Sequence, residues 1–357
     1  MHLAMVVDES RLATDGPAIQ RTAVAMASAG ARIHRVIPTF REEPPLARLL
    51  PASGFEFGSS RLFWPSRLGA LSSALEEDRP DAFIAFGARA FAAAAQLAED
   101  LDAALVAMPA TSRELEAMPL RAHRHRLDLL CVPTAPLAVR AGQIVDESLV
   151  TVLPLGVAIP SRPDAAAPAS LAIAGSGRDE GAYRALFGGL SSVAPHVPEL
   201  QVAIELPPGH DPHLWTLARE LGVQRLLNGV SSLESIRPLA LACGTLALPE
   251  AVGGTRTLVL EAMALGRTVV TMDDPMADHL IDGVTALVAA ERESRIWGAL
   301  LAEALRDGEV ARRVRAEGAV RSAARFGSAI CARHLADACS MAVTGGAIPF
   351  PGPDADS

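Results

Sequence analysis

The sequence contains no lysine: all 32 basic residues in the 357-residue chain are arginine. That absence excludes two chemistries. A pyridoxal phosphate enzyme needs a lysine for its Schiff base, and a P-loop needs one on the phosphates. Any phosphate this chain holds must be met by arginine or by backbone N–H groups. Aromatic residues make up only 4%, too few for platforms that stack nucleic-acid bases. The net charge is -9, so the basic field a nucleic-acid binder needs is missing too. Cysteine is scarce. Cys131, Cys243, Cys331 and Cys339 lack metal-ligand spacing, and a disulfide framework is not expected in so long a chain. No apolar run approaches the length of a membrane span. The N-terminal M-H-L-A-M-V-V reads as a first strand, without the basic flank of a leader. The expected location is cytoplasmic. Peripheral contact with a membrane through the basic stretch 121–126, R-A-H-R-H-R, is the alternative.

What is there is a long alternation of short apolar runs and amphipathic segments. The length suits two domains, and the alternation implies α/β units with parallel sheets. Residues 3–7 read as the first strand, with Asp8, Glu9 and Ser10 as a polar loop and a helix starting around Asp15, Gly16 and Pro17. Residues 41–65 carry no clear period and read as a long loop. The stretch 161–170, S-R-P-D-A-A-A-P-A-S, reads as a linker. Residues 344–357, rich in Gly, Pro and Asp, have the composition of a disordered tail.

The most specific stretch is residues 249–266, P-E-A-V-G-G-T-R-T-L-V-L-E-A-M-A-L-G. It lies between two apolar strands, 244–248 and 268–272. Gly253, Gly254 and Thr255 open directly onto an apolar helix. Glycines there let backbone approach a ligand closely, and the free N–H groups of a helix N-terminus favour an anion such as phosphate. Thr255 or Thr257 is placed to cap that terminus. Glu261 falls about one turn in, the only acid on an apolar helix, and can accept hydrogen bonds from ribose hydroxyls.

These residues resemble the donor-binding signature of family 4 glycosyltransferases, and the likeness continues through T-V-V-T-M-D-D and I-D-G-V-T-A-L-V. The resemblance implies the GT-B fold, two Rossmann-like domains facing a cleft, and a retaining, hexosyltransferase-like enzyme that moves a sugar from a nucleotide-sugar donor. It implies loop amides on the diphosphate and Glu261 on the ribose. Where the family has an acid eight residues earlier, this chain has Gly253; Glu250, eleven residues before Glu261, is not a substitute by spacing. The family's arginine after the first strand of the second domain corresponds to Arg178, but its lysine slot holds Asp179 and Glu180, and no histidine occurs in V-A-M-P-A-T at 106–111. Arg256 is placed to supply the missing positive charge. Asp15 and Gly16 stand where the family has its acceptor-side loop.

The expected organisation is an acceptor-side domain at 1–160, a linker at 161–170, a donor domain at 171–325, a helix at 326–343 returning to the first domain, and the tail. No residue is assigned a catalytic proton-transfer or nucleophilic role. No metal or other cofactor is expected: the histidines near 123–125 and 210–213 lack further ligands, and D-L-D at 100–102 precedes a strand. The acceptor is an unknown glycan, lipid or small molecule. The rival reading is a catalytically inactive protein of the same fold that binds a sugar nucleotide or a protein partner.

Overall fold

The computed structural model describes residues 1–39, 50–58, 63–161, 167–206, 211–230 and 233–346. It divides into one unit of residues 1–156 with the chain from Ser328 onward, and a second of Val157–Gly327.

In the first unit the described elements are β1 (His2–Val7), α1 (Glu9–Ser28), β2 (Arg32–Pro38), β3 (Ala52–Phe55), α2 (Trp64–Glu76), β4 (Ala82–Phe86), α3 (Ala88–Asp100), β5 (Ala104–Ala107), α4 (Ser112–Ala117), β6 (Leu129–Val132), α5 (Ala135–Gly142) and β7 (Val150–Val152). The strands form a parallel sheet in the order β3-β2-β1-β4-β5-β6-β7. Every residue of β1 and β4 is buried, as a parallel strand covered on both faces requires. The strand order reverses between β1 and β4, the place where open α/β sheets take ligands.

The second unit contains β8 (Ala167–Ile173), α6 (Glu180–Val193), β9 (Gln201–Glu205), α7 (Asp211–Glu220), β10 (Leu227–Val230), α8 (Leu233–Ala242), β11 (Cys243–Leu248), α9 (Thr257–Ala264), β12 (Thr268–Met272), β13 (Leu287–Ala289), α10 (Ser294–Leu305) and α11 (Glu309–Phe326). Its sheet is also parallel, in the order β10-β9-β8-β11-β12-β13. Here the order reverses between β8 and β11.

The last helix, α12 (Ser328–Thr344), belongs to the first unit. It packs on α1, and Ala332, Leu335, Ala338 and Cys339 join the apolar core beneath the first sheet.

Three expectations change. The helix expected near Asp15 begins at Glu9, because Asp8 caps it: its Oδ1 accepts from the Arg11 N–H at 3.1 Å. Asp15 and Gly16 therefore lie inside α1 and form no acceptor-side loop, and Asp15 is 2% exposed, with its Oδ2 3.4 Å from Arg11 Nε. The loop expected at 41–65 contains β3, an edge strand paired with β2; residues 40–49 and 59–62 of that stretch lie outside the described residues. The expected linker at 161–170 ends in strand, since β8 starts at Ala167; residues 162–166 lie outside the described residues, as do 347–357 of the expected tail.

Candidate functional site

The candidate site is at the C-terminal edge of the second sheet, around its β8/β11 reversal. α9 is built by its sequence. All eight residues, T-L-V-L-E-A-M-A, are buried, against α8, α11 and β12. Gly266 ends the helix at φ 65°, with Gly266 N–H on Met263 O and Arg267 N–H on Ala262 O, both 2.9 Å. That is the paired C-terminal stop which favours glycine. At the other end Arg256 is the cap residue, and its side chain makes no capping bond. Neither Thr255 nor Thr257 fills that role. Thr255 is 6% exposed, and its hydroxyl has no hydrogen-bond partner in the structure. That orphan hydroxyl, at a helix N-terminus, offers a donor to a ligand.

Four carboxylates stand around the site, three of them holding the surrounding loops. Asp274, just after β12, takes the glycine loop: its Oδ2 accepts from Gly253 N–H at 2.7 Å and Gly254 N–H at 3.3 Å. These two amides, expected to be free for phosphate, are thus held by an internal acid. The hold fixes Gly253 at φ 73°, a backbone state that disfavours side chains. Glu205, the last residue of β9, accepts from Gly175 N–H at 2.9 Å and lies 3.4 Å from the Arg256 guanidinium. Glu250, after β11, accepts from the loop that follows β8, including Arg178 N–H at 3.0 Å and Asp179 N–H at 2.9 Å.

The fourth acid is Glu261. It is 4% exposed and ion-paired with Arg237 of α8. Arg237 also reaches Thr257 Oγ1 at 3.4 Å. Glu261, expected on the ribose, is thus engaged inside the unit with Arg237.

A small cavity opens at this edge, lined by Glu250, Gly254, Arg256, Asp274 and His279, with apolar walls that include Leu248 and Val259. Of the sequence-derived residues, the structure brings Gly254 and Arg256 into this cavity. Arg178 is on the neighbouring loop, with its side chain exposed. His279 is 5% exposed; burial lowers its pKa to about 4, with Asp278 opposing and Arg325 adding to the shift. Among the described residues no group of three His, Cys, Asp or Glu side chains could hold a metal ion. None of the described helices is long and apolar enough to cross a membrane.

Sequence reasoning missed Glu205, Asp274 and Arg237 and discounted Glu250. The available signal was positional. Each of the three acids ends or closely follows an apolar strand, in V-A-I-E, L-P-E and T-M-D-D, and so lands at the ligand edge of the sheet. Arg237, on a different helix, has no such signature.

At the corresponding edge of the first sheet a second charged cluster forms. Arg11 Nη1 reaches Glu114 Oε2 at 3.0 Å. Burial lowers the Arg11 pKa, but Glu114 and Asp15 outweigh it and the net shift is upward. Burial likewise raises the Glu114 pKa against the pull of Arg11. Asp15, expected on a ligand-facing loop, is part of this buried ionic cluster.

No protein-family model matches the sequence, and no curated protein matches it. Solved structures do match. HepE (Alr3699) of Anabaena, in complex with UDP and glucose, is 13% identical with a TM-score of 0.74, covering 95% of this chain and 99% of that one. Sucrose-phosphate synthase of Thermosynechococcus elongatus is 14% identical with a TM-score of 0.77, covering 97% and 100%. A glycosyltransferase of Rickettsia africae is 9% identical with a TM-score of 0.71, covering 97% and 99%. At these identities the likeness is one of architecture: the chain has the GT-B fold of glycosyltransferases.

Proposed function

We propose that the protein is a glycosyltransferase that takes a sugar from a nucleotide-sugar donor held by the second unit, and passes it to a hydroxyl of a glycan, lipid or small molecule. The observation that carries this reading is the glycine loop opening onto α9 at the reversal of a parallel sheet, with Arg256 in the adjoining cavity. The HepE likeness supports it, since that protein was crystallised with UDP and glucose. The roles follow from chemistry. The positive end of α9 and the Thr255 hydroxyl face the donor's phosphates. Arg256 balances the charge that develops on the departing diphosphate. Asp274 keeps the glycine loop in one shape before the donor arrives. Resemblance of the L-E-A-M-A helix to family 4 supports transfer with retention, and the arginine-and-amide chemistry supports a reaction without a metal.

The second reading is a non-catalytic protein that binds a sugar nucleotide on the same fold. It is favoured by the engagement of Glu261 with Arg237. Thermal-shift screening of UDP-, GDP- and ADP-sugars, followed by donor hydrolysis with and without EDTA, separates the readings. The transferase reading expects one donor to raise the melting temperature and to be consumed equally in both buffers. Stabilisation without turnover in the presence of acceptor extracts favours the second reading. No stabilisation by any donor overturns both.

A further inference from the structure

The loop after β8 is an anion site already occupied by this chain's own acid. The carboxylate of Glu250 takes the N–H groups of Ser176, Arg178 and Asp179, the last two at 3.0 and 2.9 Å, and the Ser176 hydroxyl at 2.9 Å. Convergent amides ahead of a helix form a concavity that suits phosphate as well as carboxylate. Here that helix is the 14-residue α6. The bonds lie at the surface: Ser176 and Arg178 are exposed and Glu250 is only half-buried. The acid can therefore swing into water without disturbing the core.

A second feature points to a ligand. Tyr183, in the first turns of α6, is fully buried. Its hydroxyl lies near the Gly177 backbone but makes no hydrogen bond of proper geometry. Burial, with Glu250 and Glu205 nearby, raises its pKa, so the phenol stays a neutral donor. Gly175 lets these groups converge, because a Cβ there would sit 2.5 Å from the Tyr183 hydroxyl and 2.8 Å from Glu250 Oε2.

We propose that Glu250 is a built-in competitor for phosphate: its side chain stands in the amide pocket of the β8–α6 loop, and a nucleoside diphosphate binds the second unit fully only by displacing it. The proposal rests on the reading of this unit as a donor site, and it adds what limits affinity there. A carboxylate and a phosphate cannot share the same N–H groups, so removing the acid frees donors for the ligand and also removes a like-charge repulsion.

The test is calorimetric titration of wild type, Glu250→Ala and Glu250→Gln with inorganic pyrophosphate, UDP, GDP, ADP and uridine. Melting temperature is followed on the same samples. The expected result is that Glu250→Ala binds pyrophosphate and the cognate diphosphate roughly tenfold tighter or better, the change expected if about one charge-assisted contact is no longer in competition. Glu250→Gln, which keeps the acceptor oxygen and loses the charge, falls between; uridine affinity does not change. If Glu250→Ala fails to fold, Glu250→Gln decides. Unchanged or weaker pyrophosphate binding by folded variants overturns the proposal, even where a nucleoside diphosphate binds wild type and the donor-site reading stands. Tighter pyrophosphate binding by the variants with no nucleoside diphosphate bound by any of the three keeps the competing pocket and removes the donor reading.

Discussion

His279 is a titratable group placed where its charge cannot be solvated. Burial brings its pKa from the ordinary 6.5 to about 4, with Asp278 and Arg325 as its charged neighbours. A group depressed on folding binds its proton more readily in the unfolded chain. Its contribution to stability is therefore complete above pH 6.5, is lost as pH falls from there, and levels off below about pH 4. The size is about 2 kcal/mol between pH 7.5 and 5. In urea unfolding, wild type should lose that amount over this interval, and His279→Leu should lose distinctly less. Equal losses in the two proteins would remove His279 as the cause. Nothing in A-D-H-L marks this histidine as buried. The sequence shows which side chains can titrate, and the surrounding packing decides what that costs. The same limit applied to Glu261. Its type and its place on the helix were legible, but its partner, Arg237, is 24 residues away on another helix.

The Arg237–Glu261 pair ties α8 to α9, the two helices that flank β11. Side-chain exposures of 9% and 5% make it a buried ion pair, for which losing one partner is worse than losing both. Glu261→Ala leaves a guanidinium buried without its carboxylate and should destabilise the protein by ~3–5 kcal/mol. Replacing both residues by leucine should recover most of that loss. Chemical denaturation of the two single variants and the double variant checks this. Additive losses would mean that the residues do not act as a pair. A fall in nucleotide affinity for Glu261→Ala must then be read against its melting temperature, since the acid also supports the element beneath the site.

Elements with continuous apolar runs were legible in the sequence: β1, β4, β11 and β12, and α9 with its terminal glycine. α1 was misread because Asp15, Gly16 and Pro17 look like a helix start, while Asp8 outcompetes them through a cap seven residues earlier. β3, A-S-G-F, has no strand signal of its own and is strand because β2 offers it an edge.

At the scale of the whole molecule, each unit repeats one plan: a parallel sheet that reverses its order, with charged residues at the C-terminal edge. In the first unit those residues satisfy each other across Arg11, Asp15 and Glu114. In the second they are spent on loops, with Asp274 on the glycine loop and Glu205 and Glu250 on the loop after β8. The order of strands and helices made this plan readable from hydrophobic periodicity, because burial on both faces writes itself into the sequence. The acids' partners were not readable, because loop amides leave no trace in residue type. The chain enters the second unit at Val157 and leaves at Gly327, and these two residues pair directly.

The N-terminus of α9, beside the glycine loop that Asp274 holds, is where the phosphates of a nucleoside diphosphate are expected to bind. The most direct measurement is titration of UDP, GDP and ADP, with the matching nucleosides, into wild type and Gly254→Val. Gly254 lines the cavity, and a branched side chain there blocks close approach of a phosphate to backbone. At least one diphosphate should bind wild type and bind Gly254→Val roughly tenfold or more weakly, the loss of about one charge-assisted hydrogen bond. The matching nucleoside should change much less. Equal diphosphate affinity in the two folded proteins, or no binding of any diphosphate to wild type, would contradict it.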